Sequence, residues 1–598
     1  RAFLEQLADG SQIRVLAAVN FDGVANETTA VKFPVRTYTV KAVALENPTI
    51  TSVQDSRGPL ANPGTTVDTS VILSGTASKG LEVEIFDGTV SKDKARADAS
   101  NGIWTLTVSG LTVTEHRFTA KALYGSEATS QEWILTVVPA ALKVMGARFN
   151  RSTFFASRVP RKLSAFNETT GEPMQVEWQY AGDSQWQTAD SWRDTAPHEP
   201  LRVRSQHGQL TLNPANIVGN GDEYNQRLAA FVAHRDNGDV VGWGTSSFGG
   251  DVPSSISMAD IVEVSAARAA FAIRRANGRV LAWGSSTTGG DMGPTLPMLD
   301  FAEVLSASGS FAGLLVNGGV VAWGHPNSGA TVPEAIARLS DVRQIIATGS
   351  AYAGLRATGH VVAWGDAWNG GNIPAEIAAL TDVKEIIGSA VAFIALRSSG
   401  QIVGWGNPNY GGTVPAEIAA LTDVVELGCA NVHAFTAIRA TGQVVAWGMP
   451  TSGGAIDPAI GRLTDIVEVS ASNSTFAARR GSGHVVAWGN AQYGGQVPTE
   501  IAALDDIVQV VGTSAAFAAL RKDGTVVAWG DPLYGGNASA VSSQLINVRA
   551  IYANTGAFAA VTADSRVVTW GNRSGGGDSS AVQDKLAGKV SYYARTGE

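Results

Sequence analysis

The dipeptide Trp-Gly recurs nine times at nearly constant spacing, and nothing else in the 598-residue sequence limits its fold as tightly. The tryptophans are Trp243, Trp283, Trp323, Trp364, Trp405, Trp447, Trp488, Trp529 and Trp570, nine of the fifteen in the chain, at intervals of 40 to 42 residues. A fixed period of this length marks a repeat architecture, in which each unit is too small to bury its own faces and must stack on its neighbours. One unit, read from Asp382, holds three short apolar strands: Val383 to Ile387, Ala392 to Arg397 and Gln401 to Trp405. Between the second and third stands Asn-Gly at 237, 277 and 317, and Thr-Gly, Ser-Gly or Asp-Gly in later units. Glycine at positive φ lets a two-residue turn follow the twist of the strands, so these are hairpin turns. The last unit carries Asp564-Ser565 there and reads as an atypical terminal repeat.

After each Trp-Gly comes a loop, often ending in Gly-Gly as at Gly411-Gly412, and then proline at 253, 294, 333, 374, 415, 458 and 498. Segments such as Pro415 to Leu421 suit one or two helical turns with proline at the first position. Three short strands and a linker fill the period. A closed ring of such units leaves no open sheet edge between the first and the last. Ahead of Trp243 lies a hairpin, Ala230–Ala233 and Val240–Trp243, without a clear preceding strand, while Gly588 to Ala594 resembles a lone first strand. The expectation is therefore nine blades: eight continuous, and one built from the N-terminal hairpin and the C-terminal strand.

The pattern Gly-x-Val-Val-Ala-Trp-Gly (359–365) followed by Asn-Pro-x-Tyr-Gly-Gly (407–412 in the next unit) resembles the repeat of the regulator-of-chromosome-condensation superfamily. With three strands and Val-Pro-Ala-Glu linkers, it is most like the short-blade β-lactamase inhibitor protein II type. The resemblance covers about residues 229–598 and implies a β-propeller without fixing a function, because such rings host unrelated activities. Nine units depart from the blade number of either relative.

Residues 1–43 read as the C-terminal part of a β-sandwich, with Gln12–Asn20 and Thr37–Lys41 as strands, and the start at Arg1 within a strand pattern reads as a fragment of a longer polypeptide. Residues 44–139 hold alternating runs such as Val71–Thr76, Leu81–Phe86 and Trp104–Val108, separated by turn residues, which fits an immunoglobulin-like sandwich. The segments Gly75–Gly80, Ala99–Trp104 and Ala120–Tyr124 are similar to bacterial Ig-like domains. Residues 140–228 form a small β-domain or adaptor. Its Trp178, Trp186 and Trp192 serve either as core or as an aromatic platform for carbohydrate, and spacing does not separate the two. The fold class is all-β: Ig-like sandwiches followed by a propeller of about nine three-stranded blades.

The chemistry is sparse. No nucleophile elbow, phosphate loop, His-Glu-x-x-His or calcium loop occurs. The eight histidines are scattered, and His360 and His484 share a turn position that other units fill with Gln, Arg, Asp or Thr. The single cysteine, Cys429, excludes a disulfide framework and reads as a small buried side chain. Asp505-Asp506 reads as a solvated loop. The chain carries 44 basic and 53 acidic residues, net −9, and residues 229–598 contain four lysines, so nucleic acid and anionic membranes are disfavoured as partners. No apolar run is long enough to span a bilayer. No enzyme, cofactor or metal is expected.

Positions that keep their type across units build the scaffold, and the variable loop after Trp-Gly is the place for recognition. Phe248, Trp368, Tyr410, Tyr493 and Tyr534 stand four or five residues past their tryptophans, and the less regular His325, Asn327, Asn369, Asp531 and Arg573 join them as candidate contacts. The resulting expectation is a non-catalytic recognition module of a secreted or surface bacterial protein, an adhesin or toxin-binding head. It would bind protein or carbohydrate on another cell or enzyme surface, with no membrane insertion. The alternatives are an enzyme inhibitor like β-lactamase inhibitor protein II and, third, an enzyme with its site in the central channel.

Overall fold

The computed structural model describes residues 10–594 apart from 22, 41–44, 56–57, 67, 139–141, 149–159, 207, 222–226 and 257–258. The chain divides into two compact units, Arg1–Ala140 and Ala141–Glu598.

In the first unit, strict alternation along Ser70–Thr76 turns Val71 and Leu73 inward and Ser70 and Ile72 outward. Nine strands follow this rule to form two sheets. One runs Val90–Arg96, Glu82–Asp87, Glu115–Ala122, Trp133–Val137, Gly64–Thr66; the other runs Ile103–Ser109, Ser70–Thr76, Ser52–Asp55, Gly58–Pro59. Their inner faces share one core around Val71, Val83, Ile85, Trp104, Phe118 and Leu135, which makes this part a β-sandwich. Residues 12–39 form two further ladders, Gln12–Val15 with Arg36–Thr39 and Ala18–Val19 with Val31–Lys32, whose side chains are mostly exposed. The strand expected at Thr37–Lys41 ends at Thr39, and Lys41 lies outside the described residues.

The second unit contains nine three-stranded antiparallel sheets in succession. The first is Ile217–Gly219, Ala230–His234, Val240–Gly244; the fifth is Val383–Gly388, Ala392–Arg397, Ile402–Gly406; the ninth is Val548–Ala553, Ala557–Thr562, Val567–Gly571. We call the strands of each blade inner, middle and outer. The turn glycine between middle and outer strands is left-handed, as at Gly400 (φ +78°), and in the ninth blade Ser565 adopts the same conformation at φ +62°. In every blade a middle-strand aromatic stacks on the outer-strand tryptophan directly opposite, Phe393 on Trp405 at 5.1 Å, with tyrosine replacing phenylalanine at Tyr352. Single helical turns such as Ala416–Ala419 follow the prolines, with Pro415 as the capping residue just before the turn.

Blades are joined by the same tryptophans. Trp405 Nε1 donates to the Gly370 carbonyl of the preceding blade at 3.0 Å, and the bond recurs from Trp283 to Trp570. Gly370 needs φ +96° there, and a Cβ would lie 2.7 Å from the Phe393 ring, so only glycine fits. Trp243 of the first blade donates in the same way to Gly576 of the ninth at 2.9 Å. Successive inner strands touch all the way round, the first touching the ninth. The ring is closed.

Its closure differs from the sequence expectation. The first blade has an inner strand of its own, Ile217–Gly219, so the ring starts at 217 rather than 229 and no composite blade exists. The middle strand's edge is already paired, which leaves the segment Gly588 to Ala594 to find another partner. Ala594 N–H donates to the Thr211 carbonyl at 2.8 Å and Asn213 N–H to that of Tyr592 at 3.1 Å, pairing the segment with strand Gly208–Leu212 of the adaptor. Val590 and Tyr592 are buried, and the Tyr592 hydroxyl donates to the Gly146 carbonyl at 2.7 Å.

The adaptor has two small sheets: Leu142–Met145, Arg161–Asn167, Ser191–Asp194, and Gln187–Ala189, Val176–Tyr180, Leu201–Ser205, Gly208–Leu212. Trp178 and Trp192 stack at 5.9 Å in its core, and Trp192 Nε1 donates to the Tyr180 hydroxyl at 3.2 Å. That core continues without a break into Phe231, Trp243 and Tyr552 of the first and ninth blades. Residues 140–228 are therefore built into the ring's seam rather than forming a separate body.

Candidate functional site

Because the three strands of a blade alternate in direction, each blade has two ends. The inner-to-middle loops and the loops after Trp-Gly share one face of the ring. The middle-to-outer hairpins and the starts of the inner strands share the other.

On the first face the two offsets past tryptophan are not equivalent. The residue four positions on is exposed in all nine blades: Ser247, Thr287, Asn327, Trp368, Asn409, Thr451, Gln492, Leu533 and Ser574. The residue five positions on is buried or half-buried in all nine. Phe248 is buried and Tyr410, Tyr493 and Tyr534 are half-buried, so four of the five aromatics proposed from sequence pack into the ring. Tyr534 lies against the core of the last two blades, and Tyr410 meets the His433 ring at 4.5 Å, where burial holds that imidazole below its usual value. Trp368 alone falls at the outward offset, and it is 65 % exposed.

The remaining candidates separate by role. His325 and Asn327, in the loop one blade before Trp368, are exposed. Asn369 is half-buried, and its N–H bonds the Asp366 carboxylate at 3.0 Å. Asp531 caps its own loop, accepting from Leu533 N–H at 2.8 Å, and Arg573 is exposed but ion-paired to Asp578 at 2.9 Å. At the offset four past tryptophan the face thus presents a ring of uncharged, mostly polar residues interrupted by Trp368 and Leu533.

The opposite mouth is built from the inner strands. In eight blades the ladder skips the second residue of the inner strand, a bulge that re-aims one side chain. The third residue then repeats as Glu263, Glu303, Gln344, Glu385, Glu426, Glu468 and Gln509. Adaptor cations enter this ring. Arg161, 1 % exposed, lies 3.5 Å from Glu468 and donates to Ser470 Oγ at 3.1 Å. Lys162 pairs with Glu426 at 3.1 Å and Arg193 with Glu385 at 2.5 Å. The Ala147 N–H donates to Gln509 Oε1 at 2.7 Å. Burial pushes the Glu385 carboxyl above its usual value against the pull of Arg193. Beyond the described residues of the adaptor a cavity of about 700 Å³ opens against the third to sixth blades, lined by Glu303, Arg343, Gln344, Lys384, Glu385 and Arg193 among others.

The sequence reading places no residue at the central channel. The structure corrects this, and the signal was present: the glutamates recur at the repeat period. Glu263 pairs with Arg274 of its own blade at 2.8 Å and Glu468 meets Arg479 of its own blade, but Arg161, Lys162 and Arg193 come from a segment hundreds of residues away and carry no periodic mark. Asp506, read as solvated, is paired with Arg521 at 2.9 Å, one of six such Arg–Asp pairs bracing blades. Cys429 is buried, and His360 and His484 only bond Thr358 and Ser482 in their own turns. Trp186 is half-buried with the Arg204 guanidinium 4.0 Å above its ring, so the three adaptor tryptophans form no open platform. Among the described residues no group of three His, Cys, Asp or Glu side chains could hold a metal ion, and no helix is long and apolar enough to cross a membrane.

No protein-family model matches the chain, and no curated protein matches it. Among solved structures, it is similar to Prp20p from Saccharomyces cerevisiae at 15% identity, covering 58% of this chain and 90% of that one, with TM-score 0.35. It is similar to the ectodomain of the Physcomitrella patens receptor kinase CR4 at 15% identity, 46% and 73% coverage and TM-score 0.30. Fibronectin(III)-like modules of Clostridium thermocellum CbhA match at 16% identity, 32% and 88% coverage and TM-score 0.15. The class assignment rests on the strand pairing itself: an all-β chain carrying a closed propeller of nine three-stranded blades.

Proposed function

We propose that this chain is a recognition module of a secreted or surface-exposed bacterial protein, binding a partner through the face that carries the Trp-Gly loops. The observation that carries the reading is Trp368. It stands at a loop position that is exposed in every blade, and it fills that position with an indole exposed over most of its surface. Large aromatics at the centre of a polar rim are the usual anchors of protein interfaces. The neighbouring His325, Asn327 and Asn409, and Leu533 four blades on, vary from blade to blade on a rigid frame, which suits selection of a partner without disturbing the fold. The absence of charge at all nine outward positions favours an uncharged protein surface or a glycan over nucleic acid. In this reading the sandwich is an Ig-like spacer, and the role is that of an adhesin or toxin-binding head rather than an enzyme.

The test is binding of the whole chain to protein and glycan arrays, with Trp368→Ala as the paired control. The expected outcome is a specific hit that Trp368→Ala weakens at least tenfold. Binding that is indifferent to Trp368, or no binding to either array, would overturn the reading. A protruding indole on an uncharged rim also suits the plugging of an apolar enzyme cleft, as in a β-lactamase inhibitor protein II-like inhibitor. Nanomolar inhibition of a β-lactamase, lost in Trp368→Ala, would replace the adhesin reading with that one.

A further inference from the structure

We propose that the part of the channel mouth not filled by the described residues of the adaptor binds a small anionic ligand, a carboxylate or a phosphate, between Arg343 and Lys384.

The argument starts from the repeat. The bulged second residue of the inner strand is apolar by default: Val262, Ala302, Val425, Val467 and Val508. Three blades break that rule with a cation, at Arg343, Lys384 and Arg549. Arg549 has a structural task, pairing with the adaptor's Glu168 at 2.5 Å. Arg343 and Lys384 do not. They occupy the same register in adjacent blades, both are exposed, and neither forms a hydrogen bond or ion pair among the described residues.

Both line the 700 Å³ cavity, a volume in the range of small-molecule sites. The other charges on its wall are engaged, apart from the Glu199 carboxylate, which forms no ion pair among the described residues and leaves two cations against one anion. Arg148 pairs with Asp194 at 2.8 Å and Arg193 with Glu385 at 2.5 Å, while Glu303 has interactions of its own. Lys384 acts electrostatically on Glu385 but forms no ion pair with it. Two cations are thus left facing a common space. Leu305, Leu314 and Leu396 give the same space apolar walls for the body of a ligand. An arginine fork takes carboxylate or phosphate oxygens in a bidentate manner, and a lysine beside it adds a point charge.

The experiment uses the full chain and two probes, citrate and inorganic phosphate, titrated by calorimetry at low salt. Arg343→Val with Lys384→Val is the paired variant, because valine is what other blades carry at this bulge and the fold tolerates it there. Arg343→Gln with Lys384→Gln is a second, polar version, and tryptophan fluorescence reports whether each ring is intact. The expected result is saturable binding of at least one probe, weakened tenfold or more in both double variants, with Arg338→Gln on the exposed linker unchanged. Preference for citrate assigns the site to carboxylates, and preference for phosphate to phosphorylated ligands. No saturable binding of either probe, or equal binding by wild type and the intact double variants, would sink the proposal. The loop-face reading is tested on Trp368 alone, so either can fail without the other.

Discussion

The two faces of the propeller use one repeat in opposite ways. At the channel mouth the inner-strand glutamates recur with little variation, and the adaptor spends Arg161, Lys162 and Arg193 on neutralising them. On the loop face the outward position changes in nearly every blade, and only Trp368 and Leu533 among its nine residues are large and apolar. Regularity at one end serves internal assembly. Irregularity at the other is what the proposed recognition role requires. A repeat protein therefore shows its site not where residues recur but where one blade departs from the others in an exposed register.

Substitutions sharpen this contrast, and the largest effects belong to the buried contacts. Trp405→Ala removes the stack on Phe393 and the bond to Gly370, and should cost about 3–5 kcal/mol in denaturant unfolding. The exposed Trp368→Ala should stay within about 0.5 kcal/mol of wild type in the same measurement. Equal costs would erase the distinction between frame and face. Arg161→Ala takes one of two guanidinium groups from the buried Glu468, leaving Arg479 at 3.7 Å, and should cost about 1–3 kcal/mol, read as a fall in the denaturant midpoint. Gly370→Ala forces a Cβ against Phe393 at φ +96° and should lose more than about 1 kcal/mol, whereas Gly10→Ala at φ +84°, with open space around it, carries only the backbone strain. The brace pair Arg356–Asp341, about a third exposed, should contribute about 0.2–1 kcal/mol in a double-mutant cycle.

The smallest effect is a dependence on pH. Burial holds the His234 imidazole of the first blade below its usual value, and its Nε2 has no hydrogen-bond partner among the described residues. Below an unfolded-chain pKa of about 6.5 the unfolded state takes up a proton that the folded blade resists. The histidine's stabilising contribution is thus complete above that value and declines as pH falls toward the folded pKa. Melting temperature should drop between neutral and mildly acidic pH, and His234→Leu should flatten the drop. An unchanged slope would place the acid sensitivity elsewhere.

Much of the ring was legible because its determinants are local. Trp-Gly, the hairpin glycine and the proline before each short helix are read within one period, and the structure places each where chain geometry requires. The first blade's inner strand was missed because Ile217–Gly219 is only three residues long and lacks the aspartate and glutamate that mark its counterparts. The segment around Val590 looked like that strand because Val590 and Tyr592 alternate properly, but alternation does not say which edge will be paired. At the candidate site, four and five residues past tryptophan look alike in sequence. Only the loop's turn, with glycine at the left-handed position just after, shows that one offset faces water and the other the next blade's core. The channel mouth was hidden for a different reason. Its acids are periodic, but the adaptor arginines that meet them are separated from them in the chain by about a third to a half of its length.

Since Trp243 meets Gly576 as every other tryptophan meets the blade before it, the seam where the two termini of the ring come together is an ordinary joint. No strand is exchanged between the first and ninth blades, and the adaptor packs over a joint that the tryptophan bond already makes. A gene encoding such a wheel can lose or duplicate one whole period and still present matching edges at the join, so circumference is a quantity that evolution can adjust in single steps.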